Sequence, residues 1–484
     1  MSNNASKWLI IIVLVVSIAS HFAYFGHPNE TVFDEVHFGK FISGYFTHEY
    51  FFDIHPPLGK LLISGMGAIT GFEPGFSFAN IGEKFPDNKY LWLRLLPSIA
   101  GTLLPLVLFL LALELGLSRW AAFMLGLLTA LENAMIAQSR FILLDSFLLL
   151  FGFTALYCYF RWRNLFGKGG PAKSPDGDRG ASRSKWYLLS AGLSAGLAMS
   201  VKWTGVSFLA IVVLFELFHL WQDRNGTAKR RLHAVILCLI VTPLIVYTAT
   251  FVVHLGLLSK TGPGDAFMTP QFKKTLTNSL DSTDPAIKPL NTFQKVIELN
   301  SEMYRANAGL TAGHPYASKW YTWPFMQRPI YYWYQSNALG DPGNPAIGQQ
   351  LIPKESRIYF MGNPLIWWLS TLAIVYLILD QVGEFWRKRK LQLLPTLIIL
   401  GYIINMLPFV GISRAMFLYH YLIGYIFALL ALVYLVSSFK HTKKAFAFLL
   451  LLSIAGFLFF TPLTYGLPMS AKTYELRNWL SSWK

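Results

Sequence analysis

Between Phe33 and Lys60 the chain reads FDEVHFGKFISGYFTHEYFFDIHPPLGK, which sets Asp34, Glu35, His37, His48, Glu49, Asp53 and His55 among phenylalanines and tyrosines. Acids and imidazoles beside aromatic bulk suit a site where a proton is moved next to a lipid. The same composition also suits a wet loop with ordinary surface charge, because titratable clusters serve structural networks as well. The elements on either side decide which setting applies.

Those elements are apolar. Of 484 residues, 54% are hydrophobic and 14% charged, with a mean hydropathy of +0.42. Soluble domains carry roughly 25% charged residues, so this composition is that of a polytopic membrane protein. Eleven candidate spans are read at 8–25, 92–115, 119–138, 141–161, 187–201, 206–221, 232–255, 363–382, 391–411, 416–437 and 444–464. A crossing of the hydrocarbon core takes about 20 apolar residues, and the expected fold is all-α.

The net charge of +16 sits mostly in short loops between these runs, such as Arg387 to Lys390 and Lys440 to Lys444. That is a positive-inside pattern and excludes a phosphate-tracking groove for nucleic acid. It predicts a cytoplasmic N-terminus with an uncleaved first helix, a cytoplasmic polar linker over 163–185, and two long outer segments, 26–91 and 256–362, within a single membrane-embedded domain. Cys158 and Cys238 both lie in apolar runs and build neither a disulfide framework nor a metal site. No internal repeat or inverted pair of broken helices is found, which speaks against a secondary transporter.

Within the first outer segment, Phe38, Phe41, Ile42 and Tyr45 recur at helical spacing, and Pro57 can open a second helix running to Thr70. Both are expected to lie flat at the membrane surface. The second outer segment carries HPYASKWYTWPFMQRPIYYWY over 314–334. Its Trp and Tyr residues suit either a headgroup-level belt or stacking on a sugar or peptide.

FDEVHFGKF (33–41), YFFDIHPPLGKLL (50–62), LRLLPSIAG (93–101), AQSRFILLDSFLLLF (137–151), GLAMSVKWTG (196–205), GPGDAFM (262–268), HPYASKWYTWP (314–324) and FLYHYL (417–422) occur in this order along nearly the whole chain. Together they resemble the protein O-mannosyltransferases. The resemblance implies the C-type glycosyltransferase fold and transfer of mannose from a polyprenyl-phosphate carrier to Ser or Thr hydroxyls of exported polypeptides. Segment 256–362 is too short to hold the β-trefoil MIR domain of eukaryotic members beside its own motifs. The expectation is therefore a prokaryotic-type member in the plasma membrane, with its site on the outer face and a carrier shorter than dolichol.

A hydroxyl attacking an anomeric carbon must lose its proton, and Asp34 is the expected base; the resemblance points to the same residue. Glu35, next to it, is grouped with it as a catalytic candidate, although on a helix it would point about 100° away and suits orienting a neighbour. A lipid phosphate leaving group needs cations. Arg94, Arg140 and Lys202 fall on the side of Asp34, although each also fits a snorkelling residue at a span boundary. Asp145, inside a span, needs a partner, and Arg140 is within reach. His55, before Pro56-Pro57, is a candidate for sugar or phosphate contact, with a packing histidine as the alternative. His314, Lys319, Trp320 and His420 are candidates for the acceptor or loop side. No spacing specifies a metal; no cofactor is assigned, and a divalent cation is left open.

Overall fold

An apolar run in lipid can satisfy its backbone only by folding on itself, and the runs become helices. The computed structural model describes residues 3–167, 178–222, 232–309, 313–337, 354–412 and 414–483. In chain order the α-helices are α1 (Asn3–Phe22), α2 (Glu35–Thr47), α3 (Leu58–Ile69), α4 (Tyr90–Glu114), α5 (Arg119–Ala130), α6 (Asn133–Ser139), α7 (Asp145–Gly167), α8 (Asp178–Val201), α9 (Val206–Gln222), α10 (Leu232–Ile236), α11 (Thr242–Leu257), α12 (Pro270–Lys273), α13 (Thr292–Gly309), α14 (Pro364–Lys388), α15 (Leu393–Met406), α16 (Leu422–Ser437), α17 (Thr442–Tyr465) and α18 (Ala471–Glu475).

Helices stand at all eleven expected positions. Among the described residues, seven segments are long and apolar enough to cross a membrane, and α5 with α6, bent by 57°, would make an eighth. The chain is an integral membrane protein. The helices α1, α7 and α8 fall short of that measure, because α1 has a short apolar stretch and the other two mix polar residues into theirs. The two helices expected between Asp34 and Thr70 form as α2 and α3. The linker expected over 163–185 is shorter than that: α7 continues to Gly167 and α8 starts at Asp178, while 168–177 lie outside the described residues.

α4 is packed against α1, α3, α5 and α7, and α7 in turn against α8. Small residues allow the closest approaches. A Cβ at Gly152 would fall 2.0 Å from the Phe208 ring, and one at Gly192 would fall 1.7 Å from the Cys238 carbonyl, so α7 meets a side chain of α9 with its backbone, and α8 meets the segment before α11 backbone to backbone. Cys158 is buried and Cys238 partly exposed, and both are free thiols.

The break between α5 and α6 holds a buried acid that the sequence reading did not single out. Glu132 accepts hydrogen bonds from the Asn363 backbone N–H at 2.7 Å and the Tyr425 hydroxyl at 2.7 Å, so residues before α14 and on α16 complete it. A carboxyl within an apolar bundle needs such donors.

The helical fold carries one small addition that the sequence analysis does not include. Strands β1 (Ile330–Asn337), β2 (Lys354–Phe360) and β3 (Met469–Ser470) form an antiparallel sheet in the order β1-β2-β3. The aromatic run that suits a headgroup belt or stacking on a sugar or peptide is in part this strand: Ile330, Tyr332 and Trp333 are fully buried. Aromatic residues favour strands as well as interfaces, and composition does not separate the two.

Candidate active site

The candidate site forms where the start of α2, the α6–α7 junction, the α8–α9 break and the α15–α16 connection meet. Phe33 has a left-handed backbone, φ +44°, which a bulky residue rarely adopts. It is held there by its N–H donating to the Tyr332 carbonyl at 3.1 Å and by its ring stacking on Tyr332 at 4.3 Å and 10°. Asp34 follows, and α2 begins at Glu35.

The two adjacent acids part company. Glu35 is fully buried and accepts four N–H groups: Arg94 Nε and Ile142 N on Oε1 at 2.8 and 2.9 Å, Arg94 Nη2 and Val32 N on Oε2 at 2.7 and 2.9 Å. Every lone pair is occupied, so Glu35, expected as a catalytic candidate beside Asp34, instead holds Arg94 and two backbone N–H groups in place. Arg94, expected at the phosphate, is taken up with it. Its remaining donors go to the carbonyls of Gly26 at 3.2 Å, Pro28 at 2.6 Å and Glu30 at 2.7 Å, so all five N–H groups are used within the fold.

Arg140, expected at the phosphate, is also engaged within the fold. It is 1% exposed, lies over the Tyr465 ring at 4.6 Å, and donates to the carbonyls of His21, Ala23 and Tyr24. It thus satisfies carbonyls at the end of α1, where orphan acceptors and the helix dipole favour a cation. The Arg140–Asp145 contact within reach on sequence grounds is not made. Asp145 is paired with Lys202, whose Nζ donates to both carboxylate oxygens at 2.8 and 2.9 Å, and Gln138 Nε2 donates to Asp145 Oδ2 at 2.6 Å.

A cavity of about 390 Å³ opens beside this pair, with His55, Asp145, Lys202, Arg414, Tyr419 and His420 on its polar side and Leu148, Leu149 and Ile423 among its apolar walls. Lys202 Nζ lies over the Tyr419 ring at 4.9 Å. Arg414, half-buried, makes no hydrogen bond or ion pair among the described residues, and burial holds its guanidinium below the usual range. The sequence reading missed it, since a lone Arg between two apolar runs looks like any boundary cation.

Asp34 is half-buried beside this cluster, with no hydrogen bond to its carboxylate among the described residues. Burial pushes its carboxyl up to about 7; Lys202 opposes the rise, and Asp145 and Asp53 add to it. His55 is kept neutral by burial and by Lys202, Lys60 and Arg414. Its loop is fixed by Lys60, which contacts Asp53 and donates to the carbonyls of His55 at 2.9 Å and Pro56 at 3.2 Å. The GPGD turn closes over the same loop: Gly264 N donates to the Tyr50 carbonyl at 2.9 Å, and a Cβ at Gly262 or Gly264 would lie 2.4 or 2.5 Å from backbone atoms of Tyr50 and Phe52.

His420 reaches the cavity, stacked on Trp323 at 5.8 Å and 11°, with Nδ1 at 2.9 Å from the Phe417 carbonyl. His314, Lys319 and Trp320 do not line it. His314 and Lys319 are exposed, His314 with its ring edge-on to Phe417 at 5.0 Å, and Trp320 is half-buried next to Tyr321. Among the described residues, no three His, Cys, Asp or Glu side chains are grouped to hold a metal ion.

Residues 11–259 match the family model described as dolichyl-phosphate-mannose-protein mannosyltransferase, and residues 292–483 match that of the C-terminal four-helix membrane region of protein O-mannosyltransferase. The chain is 36% identical to protein O-mannosyltransferase 1 of Drosophila melanogaster over 282 residues, 56% of this chain and 30% of that protein. It is 34% identical to dolichyl-phosphate-mannose--protein mannosyltransferase 4 of Candida albicans over 303 residues, 60% of this chain and 38% of that one. The matches thus span about a third of these relatives' length. A solved structure of the S. cerevisiae protein O-mannosyltransferase Pmt1-Pmt2 complex bound to the sugar donor superposes with a TM-score of 0.86 at 21% identity, covering 100% of this chain and 93% of that one. The fold is that of the C-type glycosyltransferases.

Proposed function

We propose a single-displacement sugar transfer for this chain, which belongs to the dolichyl-phosphate-mannose-protein mannosyltransferase family. Mannose passes from a polyprenyl phosphate to a Ser or Thr hydroxyl of a polypeptide. The bond from the anomeric carbon to the phosphate oxygen breaks as the bond to the hydroxyl oxygen forms, with inversion. Asp34 takes the hydroxyl proton, and the polyprenyl phosphate leaves with the bonding electrons. The site works on the outer face of a prokaryotic plasma membrane, with the N-terminus in the cytoplasm.

The observation that carries this reading is the pairing of opposite roles at one cavity: Lys202 and Asp145 line it, and Asp34, just outside the lining, lies close enough to feel the charge of both. Asp34, raised to about 7, is poised to accept a proton near neutral pH. Lys202 and Arg414, which makes no hydrogen bond or ion pair among the described residues, offer positive charge to a phosphoryl group, and Leu148, Leu149 and Ile423 offer an apolar wall to the carrier chain. His55, held neutral, is available as a hydrogen-bond partner for the sugar or phosphate.

The test is reconstitution of the full chain in liposomes with synthetic polyprenyl-phosphate-mannose and a Ser/Thr-containing peptide. Mass spectrometry should find one hexose on a hydroxyl residue of the peptide. Hexose appearing only on lipid would overturn the protein acceptor, and no consumption of donor would overturn the transfer.

A further inference from the structure

We propose that Tyr332 is a positioning residue that couples the proton acceptor to the phosphate-binding lysine, an inference that rests on the transfer reading above. In the pairing of β1 with β2, Tyr331 faces Tyr359 and Trp333 faces Ile358, so Tyr332 is the additional residue of a bulge, without a ladder partner. A bulge releases a residue from the sheet's own bonding and re-aims its side chain. Both released parts of Tyr332 have a use.

Its backbone and ring hold the base. The Tyr332 carbonyl accepts from Phe33 N–H, and its ring stacks on Phe33, the residue immediately before Asp34. The left-handed backbone of Phe33 is a strained state that persists only where its surroundings enforce it. The Tyr332 contacts enforce it.

Its hydroxyl holds the anion site. It donates to Gln138 Oε1; Gln138 Nε2 donates to Asp145 Oδ2 at 2.6 Å, and Asp145 holds Lys202 Nζ through both oxygens. This chain of bonds has one polarity. An ionised Asp145 only accepts, so Gln138 must turn its amide N–H toward it and present oxygen to Tyr332, which must then donate. Tyr332 is fully buried and Gln138 is 3% exposed, so water does not replace a lost bond.

The two functions separate by substitution. Tyr332→Phe keeps the backbone and ring and removes the hydroxyl. With the full chain in liposomes, polyprenyl-phosphate-mannose as donor and a Ser/Thr peptide as acceptor, its donor KM should rise roughly five- to tenfold, the effect of one buried hydrogen bond to a charged network. Its kcat and the midpoint of its pH profile should stay within about twofold and a few tenths of a unit, because Asp34 is still held. Gln138→Leu should raise the donor KM similarly, and the double variant should be no worse than the poorer single one. Tyr332→Leu, which also removes the stacking, should lower kcat as well.

An unchanged donor KM in Tyr332→Phe, or effects of Tyr332→Phe and Gln138→Leu that multiply, would overturn the coupling. Should Tyr332→Phe unfold in a thermal melt, Gln138→Leu decides alone: a raised donor KM at constant kcat supports the coupling, and an unchanged one overturns it. Absence of transfer by the parent chain overturns the underlying reading and the coupling together. Transfer by the parent with unaltered variants overturns the coupling only.

Discussion

Replacing Asp34 by Asn tests the base through two independent readouts. Burial raises the carboxyl from 3.8 to about 7, with Lys202 opposing and Asp145 and Asp53 reinforcing the rise. Three pH units at about 1.4 kcal/mol each give an upper bound of about 4 kcal/mol for ionising Asp34 in the folded chain. The group is only half-buried, so solvent screening reduces this to about 2 kcal/mol. The sign follows from a folded value above the unfolded one. Below about pH 4 the group is protonated in both states, and the native state has its full stability there. That stability is lost as pH rises through about 7. Asp34→Asn, which never ionises, should therefore melt higher than the parent at about pH 8 and equally at about pH 4, where detergent-solubilised protein is followed by intrinsic tryptophan fluorescence. Transfer should meanwhile fall by about 10²–10⁴, the usual contribution of a positioned base. Donor lipid should still bind, since Lys202 and Arg414 remain. A stability difference that persists at about pH 4 would show that ionisation is not its source. Turnover at the parent rate would remove Asp34 from the chemistry.

Other expectations follow from the same geometry. In the parent chain kcat/KM should fall on the acid side with a midpoint near 7, and Asp34→Glu should move that midpoint if Asp34 is the titrating group. Glu35→Gln leaves Arg94 buried without its counter-ion and should cost about 3–5 kcal/mol, seen as a large loss of folded protein; a variant with normal melting and selectively lost kcat would return Glu35 to the catalytic group. Arg414→Gln should raise the donor KM roughly tenfold with the melting temperature unchanged, since Arg414 has no hydrogen-bond or ion-pair partner among the described residues to lose; an unaltered KM would take Arg414 out of the phosphate site.

How far the sequence reached depended on what kind of information each residue carried. Helices were legible because an apolar run in lipid must satisfy its backbone within itself, and Asp34, His55, Lys202 and His420 were proposed because their motifs cluster at one end of the spans. Sidedness, however, does not assign partners. Arg94 and Arg140 share that end with Lys202, yet one is locked to Glu35 and three carbonyls, and the other covers the end of α1. Which cation remains for a ligand depends on long-range contacts that linear spacing does not contain. Arg414 was overlooked for the converse reason, being isolated in sequence and distinguished only by its lack of a partner among the described residues. The sheet was missed because the hydrophobic alternation of β1 is drowned by tyrosines and tryptophans that suit an interface equally well.

The acid at the α5–α6 break has a consequence for how the molecule is made. Glu132 lies in the portion of the chain synthesised first, whereas two of its donors, Asn363 N–H and the Tyr425 hydroxyl, emerge more than two hundred residues later. Until then a carboxyl is stranded in an apolar setting, and the early helices have no stable resting arrangement of their own. A chain severed between α11 and α13 should yield fragments that are degraded when expressed singly and rescued when expressed together.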